Sequence, residues 1–278
     1  MNSFFEALLC NQLLLFATLA GLAASVVGGI MGSYVVVKRI AFISGSISHS
    51  VLAGIGFFLW LERTQNIYWA SPLAGALIAS IISALLIGWI HMSYRQREDS
   101  VIAAVWSIGM ALGLLFMSQT PGFTVELANF LVGNILWVTP HDLTVLAILD
   151  LLVLIAVILL HERLLAISFD EDQARLQGIK AHRLYLFLLT LIAVTVVLLM
   201  QVVGIILVMT MLTLPATIAN LFTKQLSRMM FLAVLLSAFF SLLGTFVAFH
   251  LDLPVGATIA LVAGIGYVLA LTFRRKTA

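Results

Sequence analysis

Residues 202–223 read VVGIILVMTMLTLPATIANLFT, a run without a single charged side chain. About 20 apolar residues are enough for a helix to cross a membrane, because the helix rises 1.5 Å per residue and the hydrocarbon layer is about 30 Å thick. Similar stretches occupy about 12–37, 41–61, 69–92, 101–118, 141–160, 184–200, 229–249 and 255–273. The sequence therefore predicts an all-α, polytopic membrane protein with about nine transmembrane helices. Eight spans are the alternative, because 184–200 and 202–223 are joined by almost nothing near Met200.

The composition supports the same fold class. Of the 278 residues, 63% are hydrophobic and 9% are charged, whereas soluble domains carry roughly 25% charged residues. This excludes a cytosolic enzyme, a nucleic-acid binder, a disordered regulator and a disulfide-stapled secreted domain. Cys10, the single cysteine, has no internal partner. Membrane lipid is the expected surroundings, and no nucleic acid partner is expected.

The distribution of basic residues predicts the orientation. With the N-terminus outside, 13 of the 14 Lys and Arg residues fall at the inner side, and the C-terminus is cytoplasmic. Acidic residues gather at the outer side, at Glu6, Glu62, Glu126, Asp142 and Asp252. Glu126 and Asp252 are candidates for an outer acidic face that attracts cations. Ordinary solvated loop residues are an equally good interpretation.

The span at 41–61 carries a narrow polar stripe. Ser46, His49, Ala53 and Gly56 are spaced by 3, 4 and 3 residues, which places them on one helix face. His49 lies roughly 13 Å from the inner end by the helical rise. Ionisable groups at such depth are costly and usually face a pathway or a partner. We interpret His49 and Ser46 as translocation-pathway or ligand residues; a packing histidine bonded to a neighbouring helix is the alternative.

Asp150 is the one acidic residue deep within a predicted span. An unpartnered charge there costs about 2.5–3.5 kcal/mol on the insertion scale. The residue is therefore a metal ligand, a proton carrier or one half of a buried pair, and the sequence leaves these three roles open.

The span at 202–223 has a polar stripe of its own. Its members again follow a spacing of 3, 4 and 3: Thr210, Thr213, Thr217 and Asn220. Pro215 lies within the stripe and frees a backbone carbonyl near Met211. Broken helices at membrane depth are tolerated where they line a cavity or are buried in protein. Pathway lining and hydrogen bonding between helices both remain open.

Residues 168–179 form the longest inner segment. Asp170 is a good N-cap, Gln173 stands at the capping-box position and Gly178 is a natural C-terminal stop. These signals predict a short cytoplasmic helix at about 170–177. It is either a solvated connector or a docking helix for a cytoplasmic partner.

Signs of an enzyme are weak. The chain has no HExxH, GxSxG or GxxxxGK[ST] motif, so any ATP that drives transport must bind another chain. Ser48 and His49 could be considered for an intramembrane hydrolase. Neighbours on one helix point about 100° apart, however, which makes them a poor nucleophile and base.

Together these residues resemble the metal-ion ABC permease family, the membrane subunits of bacterial importers for zinc or manganese. The resemblance covers nearly the whole chain. It rests on GSISHS at 45–50, VGNIL at 132–136, FD at 169–170 with Ala174 and GI at 178–179, VGIIL at 203–207, LPA at 214–216 and DLPVG at 252–256.

This resemblance implies one permease domain, residues 1–278, in a bacterial plasma (inner) membrane. It implies a homodimer of permeases with two cytoplasmic ATP-binding subunits and an extracytoplasmic metal-binding protein. No cofactor is bound permanently; the divalent metal is cargo and ATP binds the partner subunits. His49 matches the family's pathway histidine. The residues expected to couple the permease to the ATPase are Asp170, Gln173, Ala174, Arg175, Gln177 and Gly178.

One position departs from the family pattern. The family commonly has Asp four residues before the pathway histidine, where this chain has Gly45. Loss of a carboxylate favours zinc over manganese or iron, because zinc accepts imidazole nitrogen readily. Asp150, or Ser46 with water, would then complete a transient site. The alternative function is a proton-coupled secondary metal transporter with Asp150 as the proton carrier. Such transporters are often built from inverted repeats, but this sequence shows only a weak internal similarity.

Overall fold

A computed structural model describes residues 4–65, 67, 70–94, 97–120, 135 and 138–277. These residues form eleven helices and no strand. In chain order they are α1 (Phe4–Cys10), α2 (Gln12–Val37), α3 (Phe42–Thr64), α4 (Pro72–Tyr94), α5 (Glu98–Ser118), α6 (Pro140–Phe169), α7 (Glu171–Leu176), α8 (Ala181–Val203), α9 (Ile205–Phe222), α10 (Leu226–Leu251) and α11 (Val255–Thr277). Within the described ranges, all except α1 and α7 are long and apolar enough to span a membrane. The predicted all-α fold with nine spans is confirmed.

The boundary between α8 and α9 settles the choice between eight and nine spans. The two helices are separated by Gly204 alone, which has φ 81° and ψ 164°. This backbone region is essentially restricted to glycine, because a Cβ would clash there. Pro215, by contrast, lies inside α9 without ending it. The suggestion of a helix broken at Pro215 is therefore wrong, and the interruption lies at Gly204.

The described residues pack into two compact units, each assembled from segments far apart in the sequence. Unit one draws on residues 1–39, 129–158 and 198–278, and it contains α1, α2, α9, α10, α11 and the first part of α6. Unit two draws on residues 40–128 and 159–197, and it contains α3, α4, α5, α7, the end of α6 and most of α8.

Glycines of α2 hold unit one together at short helix–helix distances. A Cβ on Gly28 would lie 3.3 Å from the Cβ of Met211, and a Cβ on Gly32 would overlap the carbonyl of Leu212 in α9. Gly29 faces α10, where a Cβ would come within 2.6 Å of the backbone nitrogen of Val234. Small residues at such contacts let backbones approach, which is how helices gain dispersion energy inside a membrane.

Unit two uses the same device between α3 and α5. A Cβ on Gly109 would lie 2.6 Å from the Cβ of Ser50, and a Cβ on Gly56 would lie 3.1 Å from the carbonyl oxygen of Gly113. Residue numbers rise together along both helices at these contacts, so α3 and α5 run parallel. The close contact positions the polar stripe of α3 directly against α5.

Candidate metal pathway and coupling helix

The imidazole of His49 is held by an aromatic partner. It stacks on the indole of Trp106 in α5, with ring centroids 4.6 Å apart and an angle of 10° between the planes. The indole N–H of Trp106 donates to Sδ of Met110 at 3.0 Å. Nδ1 of His49 is buried and makes no hydrogen bond with any described residue. The ring is therefore fixed by its face, while Nδ1 remains available for a ligand.

Ser46 lies one turn before His49 and is fully buried. Its hydroxyl donates to the carbonyl oxygen of Ile102 in α5 at 2.9 Å. Ser46 thus ties α3 to α5, and only its oxygen lone pairs remain for a metal or water. Ser48 donates to the carbonyl of Ser44 at 2.8 Å, so its hydroxyl proton is not directed at His49 as a hydrolase would require.

No group of three or more His, Cys, Asp or Glu residues in the described part of the chain is arranged to hold a metal ion. Structural zinc sites close four protein ligands around the ion. A single imidazole with one open nitrogen offers far weaker binding. Such a donor suits an ion that has to leave again.

Asp150 lies on the buried stripe of α6. Leu146 and Val153, four residues before it and three after, are buried on the same helix face, whereas Ile148 and Leu151 are exposed. The backbone of Val27 in α2 approaches the carboxyl group. Its Oδ1 is buried and has no hydrogen-bond partner in the described ranges. Asp150 belongs to unit one, whereas Ser46 and His49 belong to unit two.

The threonine stripe of α9 keeps its donors within the helix. The hydroxyls of Thr210, Thr213 and Thr217 donate to the carbonyl oxygens four residues earlier, at 2.9, 2.6 and 2.7 Å. These three side chains are half-buried, and Asn220 is exposed. The threonine protons are thus used locally rather than between helices, and the lining of a pathway by this stripe stays a prediction.

The short helix predicted at about 170–177 is confirmed as α7. Oδ1 of Asp170 accepts from the backbone N–H groups of Asp172 at 3.0 Å and Gln173 at 2.9 Å. This is the expected N-cap. In a capping box the side chain of Gln173 would accept a hydrogen bond from the N–H of Asp170. Here that N–H donates instead to the carbonyl of Ala166 at 3.1 Å.

The end of α7 is also as predicted. Gly178 has φ 80°, its N–H donates to the carbonyl of Arg175 at 3.0 Å, and the N–H of Ile179 donates to that of Ala174 at 3.1 Å. These two bonds form a Schellman motif. Arg175 also pairs with Asp172 at 3.6 Å in an exposed ion pair. Both ends of a helix of only six residues are thus fixed by the local sequence.

The structure shows which face of α7 is buried. Ala174 is 1% exposed and points inward, whereas Leu176 is 90% exposed. Phe169, just before the helix, is 65% exposed. Sequence reasoning missed Leu176, although a leucine within an otherwise polar segment was a usable signal. A groove of about 250 Å³ lies between the end of α6 and α7, and its lining includes Phe169 and Gln177.

Asp252, at the predicted outer side, ends α10. It adopts a left-handed conformation with φ 54° and ψ 44°, and Leu253 N–H donates to the carbonyl of Ala248 at 3.1 Å. Terminating a helix is therefore one role of Asp252, and its exposed side chain leaves the outer acidic face as a prediction. Glu126 and most of the motif at 132–136 lie outside the described residues.

Comparisons with known proteins place this architecture. The sequence model of the ABC 3 transport family matches residues 11–274. A probable metal transport system membrane protein of Chlamydia pneumoniae is 49% identical over 264 residues, covering 95% of this chain and 90% of that protein. The manganese transport system membrane protein MntC of Halalkalibacterium halodurans is 32% identical over 276 residues, covering 99% and 92%. The solved structure of PsaBC from Streptococcus pneumoniae in complex with Fab has a TM-score of 0.82 and 26% identity, covering 96% of this chain and 94% of that one.

Proposed function

The chain belongs to the ABC 3 transport family, and from this premise we propose that it is the permease subunit of an ATP-driven importer of divalent metal ions in a bacterial plasma membrane. The observation that carries the proposal is the open Nδ1 of His49 within the membrane-spanning bundle. A buried imidazole nitrogen without a partner is a costly feature, and passage of a cation that takes this nitrogen as a ligand explains it.

The cargo is a first-row divalent metal, and zinc is favoured by the chemistry of the site. Imidazole nitrogen suits zinc, whereas manganese prefers carboxylate and carbonyl oxygen. Gly45, one turn before His49, offers no such oxygen from a side chain. Manganese is the competing cargo, because a relative of this chain is named as a manganese transport protein.

The complete transporter contains partner chains. The proposed assembly is two copies of this permease, each a single domain of residues 1–278, with two cytoplasmic ATP-binding subunits and an extracytoplasmic metal-binding protein. α7 is the contact for the ATP-binding subunit, supported by its capped ends and by the exposure of Leu176. An exposed leucine on a short helix with both ends capped gives a partner an apolar contact at a fixed position, and its burial would be favourable.

Uptake of labelled Zn²⁺ and Mn²⁺ into vesicles with the reconstituted transporter tests this proposal. We expect ATP-dependent uptake that His49→Ala abolishes and that the control His141→Ala, at an exposed histidine in the first turn of α6, leaves intact. Normal uptake by His49→Ala would make His49 a packing residue. Metal uptake that does not depend on ATP, with all partner subunits present, would refute the proposal of an ATP-driven importer.

A second candidate is favoured by one observation, the buried Oδ1 of Asp150 without a partner. A carboxyl group in such a place suits a proton carrier in a secondary transporter. In the same vesicles without the ATP-binding subunits, an imposed pH gradient would then drive metal uptake. Asp150→Asn would abolish that uptake. In an ATP-driven importer, by contrast, a pH gradient alone would not drive metal uptake.

A further inference from the structure

A cavity of about 490 Å³ lies where α6 ends and α8 begins. Three basic side chains line it: Arg163 near the end of α6, Lys180 in the connector and Arg183 in the first turn of α8. Its volume falls in the range of roughly 300–1,000 Å³ that is typical of small-molecule sites. All of its lining residues belong to unit two.

The fold brings these charges together across a gap in sequence. Arg163 is separated from Lys180 by the whole of α7. The left-handed turn at Gly178, which also lines the cavity, ends α7 and sends the chain toward α8. The start of α8 at Ala181 adds the positive end of a helix dipole beside the same bases.

The cavity carries positive charge without compensation from its own lining. None of the described residues that line it is acidic. Glu162, the neighbour of Arg163 in the chain, lines the groove beside α7 instead, and Asp172 pairs with Arg175. Like charges around one cavity repel each other, and an anion placed between them relieves that repulsion.

Apolar side chains continue from two of these bases along their helices. Leu159 lies four residues from Arg163 on α6 and is 75% exposed, and Phe187 lies four residues from Arg183 on α8 and is 40% exposed. Residues four apart share a helix face. On each helix the basic residue lies just outside the span predicted from the sequence, 141–160 or 184–200, and the apolar residue lies inside that span. Each face thus presents a cation at headgroup level and an apolar surface at acyl-chain level.

We propose that this cavity binds the phosphate headgroup of an anionic phospholipid from the cytoplasmic leaflet, with the acyl chains along Leu159 and Phe187. The positive-inside pattern predicts that this end of α6 and α8 is cytoplasmic. Basic pockets between transmembrane helices on that side are known to hold anionic headgroups. Because the cavity also includes Gly178 at the end of α7, the lipid would brace this helix.

The test measures lipid binding to the purified full chain in detergent, by native mass spectrometry and titration. Phosphatidylglycerol, phosphatidylcholine and inorganic phosphate are the probes. Each Lys or Arg near an anionic surface contributes about fivefold in affinity, so three contribute roughly 100-fold. We expect phosphatidylglycerol to bind roughly 100-fold more tightly than phosphatidylcholine, and inorganic phosphate to compete only weakly.

The matched variants are two triple substitutions to Gln. The first removes the cavity charges, Arg163, Lys180 and Arg183, and should abolish the preference for phosphatidylglycerol. The control removes three exposed basic residues from elsewhere on the predicted cytoplasmic side, Arg97, Lys224 and Arg228, and should retain it. If the first triple variant does not fold, Arg163→Gln alone should weaken binding about fivefold.

Three results would overturn the proposal. Equal binding of the two lipids would show that the cavity does not select an anion. Equal losses in both triple variants would indicate general surface electrostatics. If inorganic phosphate binds the cavity with the same affinity as phosphatidylglycerol, the cavity is a site for a soluble anion and not for a lipid.

Discussion

Replacement of Leu176 by Ser tests the docking role of α7. Leu176 is 90% exposed, and full burial of a leucine side chain stabilises by about 1.5–3 kcal/mol. Docking against an ATP-binding subunit that covers this side chain should therefore contribute about 1–3 kcal/mol. Since 1.4 kcal/mol corresponds to a factor of ten, Leu176→Ser should weaken the affinity for that subunit by roughly 5- to 150-fold.

The assay titrates the purified ATP-binding subunit onto the permease in lipid nanodiscs, and measures ATP-driven metal uptake with the same pair. Leu176→Met is the matched control, because it keeps an apolar side chain of similar size and should bind like the native chain. The midpoint of thermal unfolding of the permease alone should not change in either variant, because Leu176 buries almost nothing within the chain.

Two outcomes would refute this reasoning. An affinity of Leu176→Ser within about twofold of the native value would mean that the partner does not cover this side chain. A lower unfolding midpoint for the permease alone would mean that Leu176 packs within its own chain, so that a change in affinity would not report a docking contact.

Three further substitutions follow from the local geometry. Gly204→Ala should destabilise the chain by about 1–3 kcal/mol, because its backbone conformation is strained for any residue with a Cβ. Thermal unfolding checks this with Gly264→Ala as the control: that Cβ would meet open space within α11, and alanine is favoured over glycine in a helix interior by up to about 1 kcal/mol, so no loss of stability is expected. An unfolding midpoint of Gly204→Ala equal to the native one would contradict the prediction. Trp106→Ala should raise the KM of metal uptake roughly 2- to 12-fold, because an aromatic pair contributes about 0.5–1.5 kcal/mol. Trp106→Phe should have an intermediate KM. An unchanged KM would show that the stacked ring does not position His49. Asp170→Ala removes an N-cap of about 1 kcal/mol and should weaken binding of the ATP-binding subunit about fivefold, whereas unchanged binding would show that α7 needs no cap.

The fold was largely predictable because each part of it follows from a property of a contiguous stretch. Apolar length located about nine spans, with eight as the alternative, and the Asp170 and Gly178 signals located α7. The boundary at Gly204 was not predictable in the same way. Val202 to Leu207 is uniformly apolar apart from that glycine, and whether a glycine in such a run is helical or extended depends on what packs around it. The proline at 215 looked like the stronger breaker, yet the helix continues through it.

The candidate site was predictable only in part. The spacing of Ser46 and His49 placed both on one face, but their partners lie on α5, more than 50 residues away in the sequence. The stack on Trp106 and the hydrogen bond to Ile102 were therefore not readable from α3 alone. The exposure of Leu176 and the inward position of Ala174 also required the structure, because a six-residue helix is too short for its pattern to tell which face packs.

The sequence by itself determined the surroundings and the secondary structure. A chain with so few charges has to lie in a bilayer, where only helices and closed barrels satisfy the backbone hydrogen bonds, and apolar runs of about 20 residues select helices. It also determined both ends of α7, since the Asp170 cap and the turn at Gly178 are set by neighbouring residues in the chain. Only the tertiary structure decided which side chains meet. Ser46 donates a hydrogen bond to Ile102, His49 stacks on Trp106, and Arg163 lines one cavity with Lys180 and Arg183, because helix packing brings together segments that are distant in the sequence. Inside a membrane, that packing depends on close side-chain fit rather than on the apolar pattern of any one helix.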